Sequence, residues 1–312
     1  MFLANHQNAL LDALLIATHC KRKPYFLTRS DVFKTALLKV FFEFLQMIPV
    51  YRIRDGKNSL AGNTAIFERC AQLLGRGEAV LIFPEGNHSL KRRVRPLSKG
   101  FTRILLLALE SNPSMDIGIV PIGVNYANAA KFPDKAALYY GKEIRVQDFF
   151  DKKDVSGSAS RLKEEVYHHL KKLTTHIEEE SSYEEIVHTL DRAKVDYLDP
   201  AGVNRIIEEG TSPENRKIGK GKVGLMNYLF RGVFYILNFP MLIIWSRFIK
   251  PKVSEPEFLS TTRFMYALLF YPFFYLLFIA GMLEFLNWPA TSIICLAHLT
   301  LNIVLVKLSW ED

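Results

Sequence analysis

Short apolar runs separated by helical periodicities occupy the first half of the chain, and three much longer apolar runs close it. Residues 1–4, Tyr25–Thr28, Pro49–Ile53, Ala79–Phe83, Ile117–Val124 and Ala136–Tyr140 have the length and the β-branched, aromatic content of strands. Between them, apolar spacings of three and four predict helices near 31–46, 61–75 and 99–110. Strands that are apolar throughout, rather than alternating, belong to a sheet covered on both faces. Residues 1–150 are therefore expected to form an α/β domain, a largely parallel sheet flanked by helices. In such sheets the chemistry sits on loops leaving the carboxyl ends of the strands. His6, Arg52 and Glu85 hold positions of that kind.

Residues 151–222 read as a helical region and a basic linker. Over 158–180 a helical period puts Leu162, Val166, Leu170, Leu173 and Ile177 on one face, with His168, His169 and His176 mostly on the polar side. No carboxylate or Cys geometry accompanies these histidines, so a solvated face is expected rather than a metal site. Ser182-x-x-Glu185 resembles a capping box and predicts a further helix ending near Asp199-Pro200. Gly219-Lys220-Gly221-Lys222-Val223-Gly224 matches G-x-G-x-x-G formally, but no strand precedes it and a membrane-like segment follows, so no dinucleotide site is expected.

Residues 223–309 read as membrane-anchoring, with apolar segments at about 223–249, 264–283 and 290–308. Phe264–Leu283 is an uncharged run of 20 residues, enough to cross a hydrocarbon core of about 30 Å. The third segment is interrupted only by polar residues such as His298 and Asn302, and the turn between the two carries Glu284, Asn287, Trp288 and Pro289. The first is different. It contains Arg231, a charge that needs a partner, and Asn238-Phe239-Pro240, which breaks a crossing helix. Arg216, Lys217, Lys220 and Lys222 precede it and Lys250, Lys252 and Arg263 follow, so both its ends are expected on the cytoplasmic side and the segment itself to be re-entrant or interfacial. The last two helices then form a hairpin whose tip lies outside.

Composition agrees with a partly lipid-facing chain: 49% of the 312 residues are hydrophobic and the mean hydropathy is +0.07. A formal charge of +8 and a pI of about 9.2 call for an anionic partner. With membrane segments present, that partner is expected to be a phosphate-bearing substrate or an acidic lipid surface, not nucleic acid. Cys20, Cys70 and Cys295 have no paired spacing, which predicts neither a zinc site nor a disulfide framework and suits a reducing compartment. No basic stretch precedes the first apolar residues, so no signal peptide is expected. Four residues of strand before Asn5 are short against a mean of about five or six, which predicts a truncated or misassigned start.

The candidate chemistry begins at Asn5-His6, with Asp12 six residues after His6. Histidine takes and gives a proton near neutral pH, and a carboxylate on its second nitrogen fixes tautomer and orientation. Six positions apart in one helix would put the pair off a common face, so His6 is expected in the loop and Asp12 on the first turns of the helix that follows. Three more blocks succeed it: Ile48-Pro49-Val50-Tyr51-Arg52, Phe83-Pro84-Glu85-Gly86-Asn87-His88-Ser89 and Val120-Pro121-Ile122-Gly123. The planar guanidinium of Arg52 suits a phosphate. Glu85 suits the hydroxyls of a ligand, and Gly86 would let backbone N–H groups approach it. Lys91, Arg92, Arg93, Arg95 and Lys99 fit equally a solvated loop and a phosphate or coenzyme A contact.

In this order the four blocks resemble the phosphate-acyltransferase family of glycerolipid synthesis, over about residues 1–145. The resemblance implies an enzyme that acylates glycerol 3-phosphate, dihydroxyacetone phosphate or lysophosphatidate from acyl-CoA or acyl-carrier protein, with no metal or redox cofactor. It also implies His6 and Asp12 as catalytic residues, and Arg52, Glu85, Gly86, His88 and Lys99 as substrate-binding ones. Two departures stand out. Five residues separate His6 from Asp12 where the family usually has four, a spacing that resembles some microsomal-type sn-1 enzymes and tilts the acceptor toward glycerol 3-phosphate or dihydroxyacetone phosphate. His88 stands where the family's FPEGTRS has an arginine, which puts phosphate contact there in doubt. The rival readings are acylation of another acceptor, such as a lysophospholipid or a lipid A-like sugar, and a catalytically silent lipid-binding scaffold.

Overall fold

The computed structural model describes residues 1–30, 40, 42–51, 57–210 and 225–310, with only the backbone over 57–61. Arg52, the basic linker at 213–222 and most of the helix expected at 31–46 lie outside the described residues. The chain divides into two compact units, Met1–Ala127 with Lys135–Arg216, and Asn128–Asp134 with Lys217–Asp312.

In the first unit the described strands form one sheet of seven: β1 (Phe2–Ala4), β2 (Tyr25–Arg29), β3 (Met47–Val50), β4 (Val80–Ile82), β5 (Gly118–Tyr126), β6 (Ala136–Tyr140) and β7 (Ile144–Arg145). Their order is β3-β2-β4-β1-β5-β6, with β7 also on β5. The first five run parallel, and β6 and β7 pair antiparallel with β5. Leu3, Ala4, Val80 and Leu81 are fully buried, as expected of strands covered on both faces. In β1 and β4, Leu3 lies opposite Ile82, so Asn5-His6 and Phe83–Glu85 leave the sheet side by side at its carboxyl edge.

Helices α1 (Ala9–His19), α2 (Lys57–Gly75), α3 (Gly100–Ser111) and α4 (Val155–Leu173) cover this sheet. The α3 stripe Phe101, Ile104, Leu105, Ala108 and Leu109 is buried at helical spacing. Each large side chain there contributes about 1.5–3 kcal/mol by leaving water. The end of α4 lies directly on β5: a Cβ at Gly123 would sit 2.1 Å from the Leu173 carbonyl oxygen. Close backbone approach is thus the reason for glycine in Val120-Pro121-Ile122-Gly123.

Beyond α4 three expectations are corrected. The helix stops at Leu173, so His176 is not on a solvated helical face; it is buried in the extended segment that follows. Ser182 does not cap α5 (Tyr183–Arg192), because its hydroxyl bonds the Glu179 carboxylate at 2.9 Å. That helix ends at Arg192, the turn after it places Lys194 at a left-handed φ of 52°, and Asp199-Pro200 opens a new helix, α6 (Pro200–Glu208), rather than closing the old one. Asp199 accepts the Gly202 N–H at 3.1 Å with proline in the first turn, an N-terminal signature read in the wrong direction from the sequence.

The second unit contains α7 (Leu225–Leu237), α8 (Phe239–Ile244), α9 (Leu259–Leu283) and α10 (Trp288–Ser309). By length and composition α9, with the turn before it, and α10 are each able to cross a membrane, and the α7–α8 pair is bent by 83° at Asn238. Arg231 finds its partner in the Ser309 carbonyl, at 3.1 and 2.8 Å, over the Trp310 ring. Asn238 pairs with Asn302 at 2.6 Å and Tyr271 at 3.0 Å, and Met241 with the Tyr266 hydroxyl at 2.8 Å. The first apolar segment thus begins level with the end of α10 and lies about 10 Å further along it at the break. At Met241 it is beside Tyr266, nearer the start of α9.

Candidate active site

The site is built where β1 stops. Asn5 continues the strand's pairing with its side chain, donating to the Val124 carbonyl at 3.0 Å and accepting the Val124 N–H at 2.7 Å, which frees the main chain to turn outward at His6. Ala9 enters α1 with φ of 41°, an unfavourable conformation for a residue with a Cβ. The compensation is Asp12. Fully buried, it accepts the N–H groups of Gln7 and Asn8 at 2.8 Å each on Oδ2, and the same oxygen faces His6 Nδ1 at 2.7 Å. Oδ1 accepts the Tyr126 hydroxyl at 2.7 Å. A carboxylate only accepts, so Nδ1 carries the imidazole hydrogen and Nε2 remains the basic nitrogen. His6 is in the loop and Asp12 on the first helical turn, as their spacing required.

The second wall is the loop after β4. Phe83 stacks on the His6 ring at 4.1 Å and His88 meets its edge at 5.6 Å. The Ser89 N–H donates to the His6 carbonyl at 3.0 Å, closing this loop onto the first. Gly86 has φ of 78°, with nothing within 4 Å of the missing Cβ. Its glycine requirement is conformational, and its N–H is already given to the Phe83 carbonyl at 3.1 Å instead of standing open to a ligand.

Glu85 comes to the same place with its side chain only 2% exposed. Arg95 Nε donates to Oε2 at 3.0 Å, its Nη2 bonds the same oxygen, and its backbone N–H reaches Oε1 at 3.3 Å. The guanidinium also grips the carbonyl and side-chain oxygens of Asn87. Burial pushes the Glu85 carboxyl above its ordinary range, and the Arg95 charge and hydrogen bonds oppose the rise.

The basic loop divides by partner. Arg92 donates to the carbonyls of Tyr126 and Ala127 at 3.0 and 2.8 Å, while Lys91 and Arg93 pair with Glu180 at 3.5 and 3.2 Å. Arg92 and Arg95 are thus committed to buried partners within the fold, whereas Lys91 and Arg93 make exposed surface pairs. Lys99 is exposed and makes no ion pair among the described residues; the Ser98 N–H bonds the Pro84 carbonyl at 2.7 Å, which keeps Lys99 beside the Phe83–Gly86 turn. The residue before Arg52 is fixed: the Asn63 amide accepts the Tyr51 N–H at 2.9 Å and donates to its carbonyl at 2.7 Å.

Sequence reasoning missed Tyr126 and the pairing of Arg95 with Glu85. The one available signal was Asn125-Tyr126, two polar-tipped residues closing an otherwise apolar strand.

Residues 1–125, a stretch that contains His6, Asp12, Arg52, Glu85 and Gly86, match the family model described as Acyltransferase. Over 84 residues, 27% of this chain, the sequence is 33% identical to glycerol-3-phosphate O-acyltransferase 2 of Saccharomyces cerevisiae. Over 83 residues, again 27%, it is 28% identical to glycerol-3-phosphate O-acyltransferase 1 of the same yeast. The matched stretch covers 11% of each yeast protein, so the chain spans only a small part of their length. The crystal structure of the 1-acyl-sn-glycerophosphate (LPA) acyltransferase from Thermotoga maritima aligns over 57% of this chain and 67% of that one, with a TM-score of 0.38 and 16% identity. Over its first 125 residues the chain is therefore similar to the acyltransferase family, and within that likeness to glycerol-3-phosphate O-acyltransferases.

Proposed function

We propose that this chain is a membrane-bound O-acyltransferase that moves a fatty acyl group from acyl-CoA or acyl-carrier protein to a hydroxyl of a glycerol-phosphate-type acceptor in phospholipid biosynthesis. The observation that carries the reading is His6, locked through Nδ1 on a buried carboxylate with no partner for Nε2 among the described residues. Nε2 takes the acceptor's hydroxyl proton as that oxygen attacks the thioester carbonyl; the C–O bond forms, the C–S bond breaks, and the imidazolium returns the proton to the departing thiolate. General-base assistance of this kind is worth about 10²–10⁴ in rate, and no acyl-enzyme is required. Arg52 and Lys99 are the cations assigned to the acceptor phosphate. Glu85, beside the base, is assigned to the acceptor side of the site with His88 and the Gly86 turn. The His6–Asp12 spacing favours glycerol 3-phosphate or dihydroxyacetone phosphate as acceptor.

Two apolar helices support integral membrane anchoring, and the lysines and arginines around the first apolar segment support a cytoplasmic catalytic unit with α7–α8 re-entrant from the same side. Mass spectrometry of membranes carrying the chain, offered acyl-CoA and acyl-carrier donors against glycerol 3-phosphate, dihydroxyacetone phosphate, lysophosphatidate and lysophospholipids, tests the whole. Acylated glycerol 3-phosphate or dihydroxyacetone phosphate is the expected product. Exclusive acylation of a lysophospholipid would reassign the acceptor, and no product from any pair would favour the silent scaffold.

A further inference from the structure

The Asp12 carboxylate is turned by contacts that come from far along the chain. Three donors converge on Oδ2, from Gln7, Asn8 and His6, but a carboxylate rotates broadly about its last torsion, and donors on one oxygen alone do not fix its plane. The Tyr126 hydroxyl, 114 residues away in sequence and 4% exposed, supplies the second point by donating to Oδ1 at 2.7 Å. Tyr126 is the last residue of β5, and the β1 ladder has already ended at Ala4 opposite Ile122. On that side of β5 the carbonyls of Tyr126 and Ala127 accept instead from the Arg92 guanidinium, at 3.0 and 2.8 Å.

Arg92 is in turn held by the segment after α4. Its guanidinium lies 3.3 Å over the Tyr197 ring, its N–H donates to the Tyr183 hydroxyl at 2.7 Å, and its carbonyl accepts the Ile177 N–H at 3.0 Å. Ile177, Tyr183 and Tyr197 belong to one small buried cluster with Leu190 and Val203. Three points of attachment on one arginine, all from a cluster separate from the main core, make it a clamp and not an incidental contact.

We infer that Tyr126 is a positioning residue for the base, and that residues 174–208 act on catalysis by clamping Arg92, which holds Tyr126 on Asp12. The inference rests on the acyl-transfer reading above and adds a role for the helical region that follows the sheet. Tyr126→Phe deletes one hydrogen bond to a buried charge while keeping the ring. It should lower kcat about tenfold with the KM of donor and acceptor unchanged, and lower Tm by a few degrees. In an Asp12→Asn background the same change should add less than about twofold, since the group it positions is gone.

Tyr197 separates the clamp from packing. Tyr197→Phe keeps the face under Arg92 and loses only the bond of its hydroxyl to Asp191, so its kcat should stay near wild type. Tyr197→Leu should lower kcat without raising either KM.

The measurements use the full-length chain in membranes, with wild type and His6→Ala as controls. A Tyr126→Phe enzyme with wild-type kcat, or one whose KM rises as much as its kcat falls, overturns the positioning role. If His6→Ala is inactive in that same experiment, the acyl-transfer reading survives. A wild-type chain that transfers no acyl group, or a fully active His6→Ala, overturns the reading and takes this inference with it.

Discussion

His6 and His176 each face a carboxylate, Asp12 at 2.7 Å and Glu178 at 3.0 Å, and they sit in loops that do opposite work. At the carboxyl edge of the sheet His6 commits Nδ1 alone. In the segment after α4, His176 commits both nitrogens, Nδ1 accepting the Val94 N–H at 3.0 Å and Nε2 donating to Glu178. In the apolar unit, His298 is spent in the same way, with the Tyr275 hydroxyl on Nδ1 at 2.7 Å and Nε2 on the Leu237 carbonyl at 3.3 Å. A histidine beside an acid is therefore not yet a base. The second nitrogen decides, and of these three only His6 keeps it uncommitted among the described residues.

The largest effect that would break the comparison is on Asp12. Asp12→Asn should lower kcat at least about 10²-fold, because the amide no longer enforces an Nδ1–H tautomer, and the melting temperature should fall far less than the rate. Turnover within a few-fold of wild type would place His6 in the same class as His176. Next is the buried ion pair beside His6. Arg95→Met leaves the Glu85 carboxylate buried without its cation, and chemical denaturation should show a loss of about 3 kcal/mol; unchanged stability would mean that Glu85 has another partner.

His176→Ala sharpens the contrast from the other side. It removes the acceptor of a buried backbone N–H, so denaturation should report a loss of about 1–3 kcal/mol, with turnover per folded molecule falling far less than in His6→Ala. A variant as stable as wild type but inactive would reverse the two roles. The smallest effect is the pH dependence. Burial first, with Lys171 next, holds His176 below the usual histidine range. The unfolded state therefore binds the proton more readily. The stability this group contributes is complete above about pH 6.5 and is lost as pH falls from there through its folded value. His176→Gln, which keeps an acceptor and cannot titrate, should show a shallower acid decline in melting temperature over that interval, and an identical decline would assign the loss to other groups.

How much of this was written in the sequence depends on the range of the contact. Continuous apolarity in β1 and β4 revealed a sheet covered on both faces, and His6 and Asp12 are close enough in sequence for one loop and one helical turn to join them. His176 was misread because a helical period was extended through residues 174–180, whereas Thr174 turns its hydroxyl back to the Leu170 carbonyl and the helix is over. The bond of Arg95 to Glu85 spans ten residues and that of Tyr126 to Asp12 spans 114, and no local period or propensity encodes either. In the apolar unit the proline and the arginine announced a broken segment, but the partner of Arg231, a carbonyl 78 residues away, was set only by tertiary packing.

One assay addresses the open nitrogen of His6 directly: single-turnover acyl transfer from acyl-CoA to glycerol 3-phosphate by the full-length wild-type and His6→Ala proteins, each checked for folding by its melting temperature. The account predicts at least about a 10²-fold loss of the chemical step in a variant that melts with wild type. Transfer at the wild-type rate by folded His6→Ala protein would contradict it.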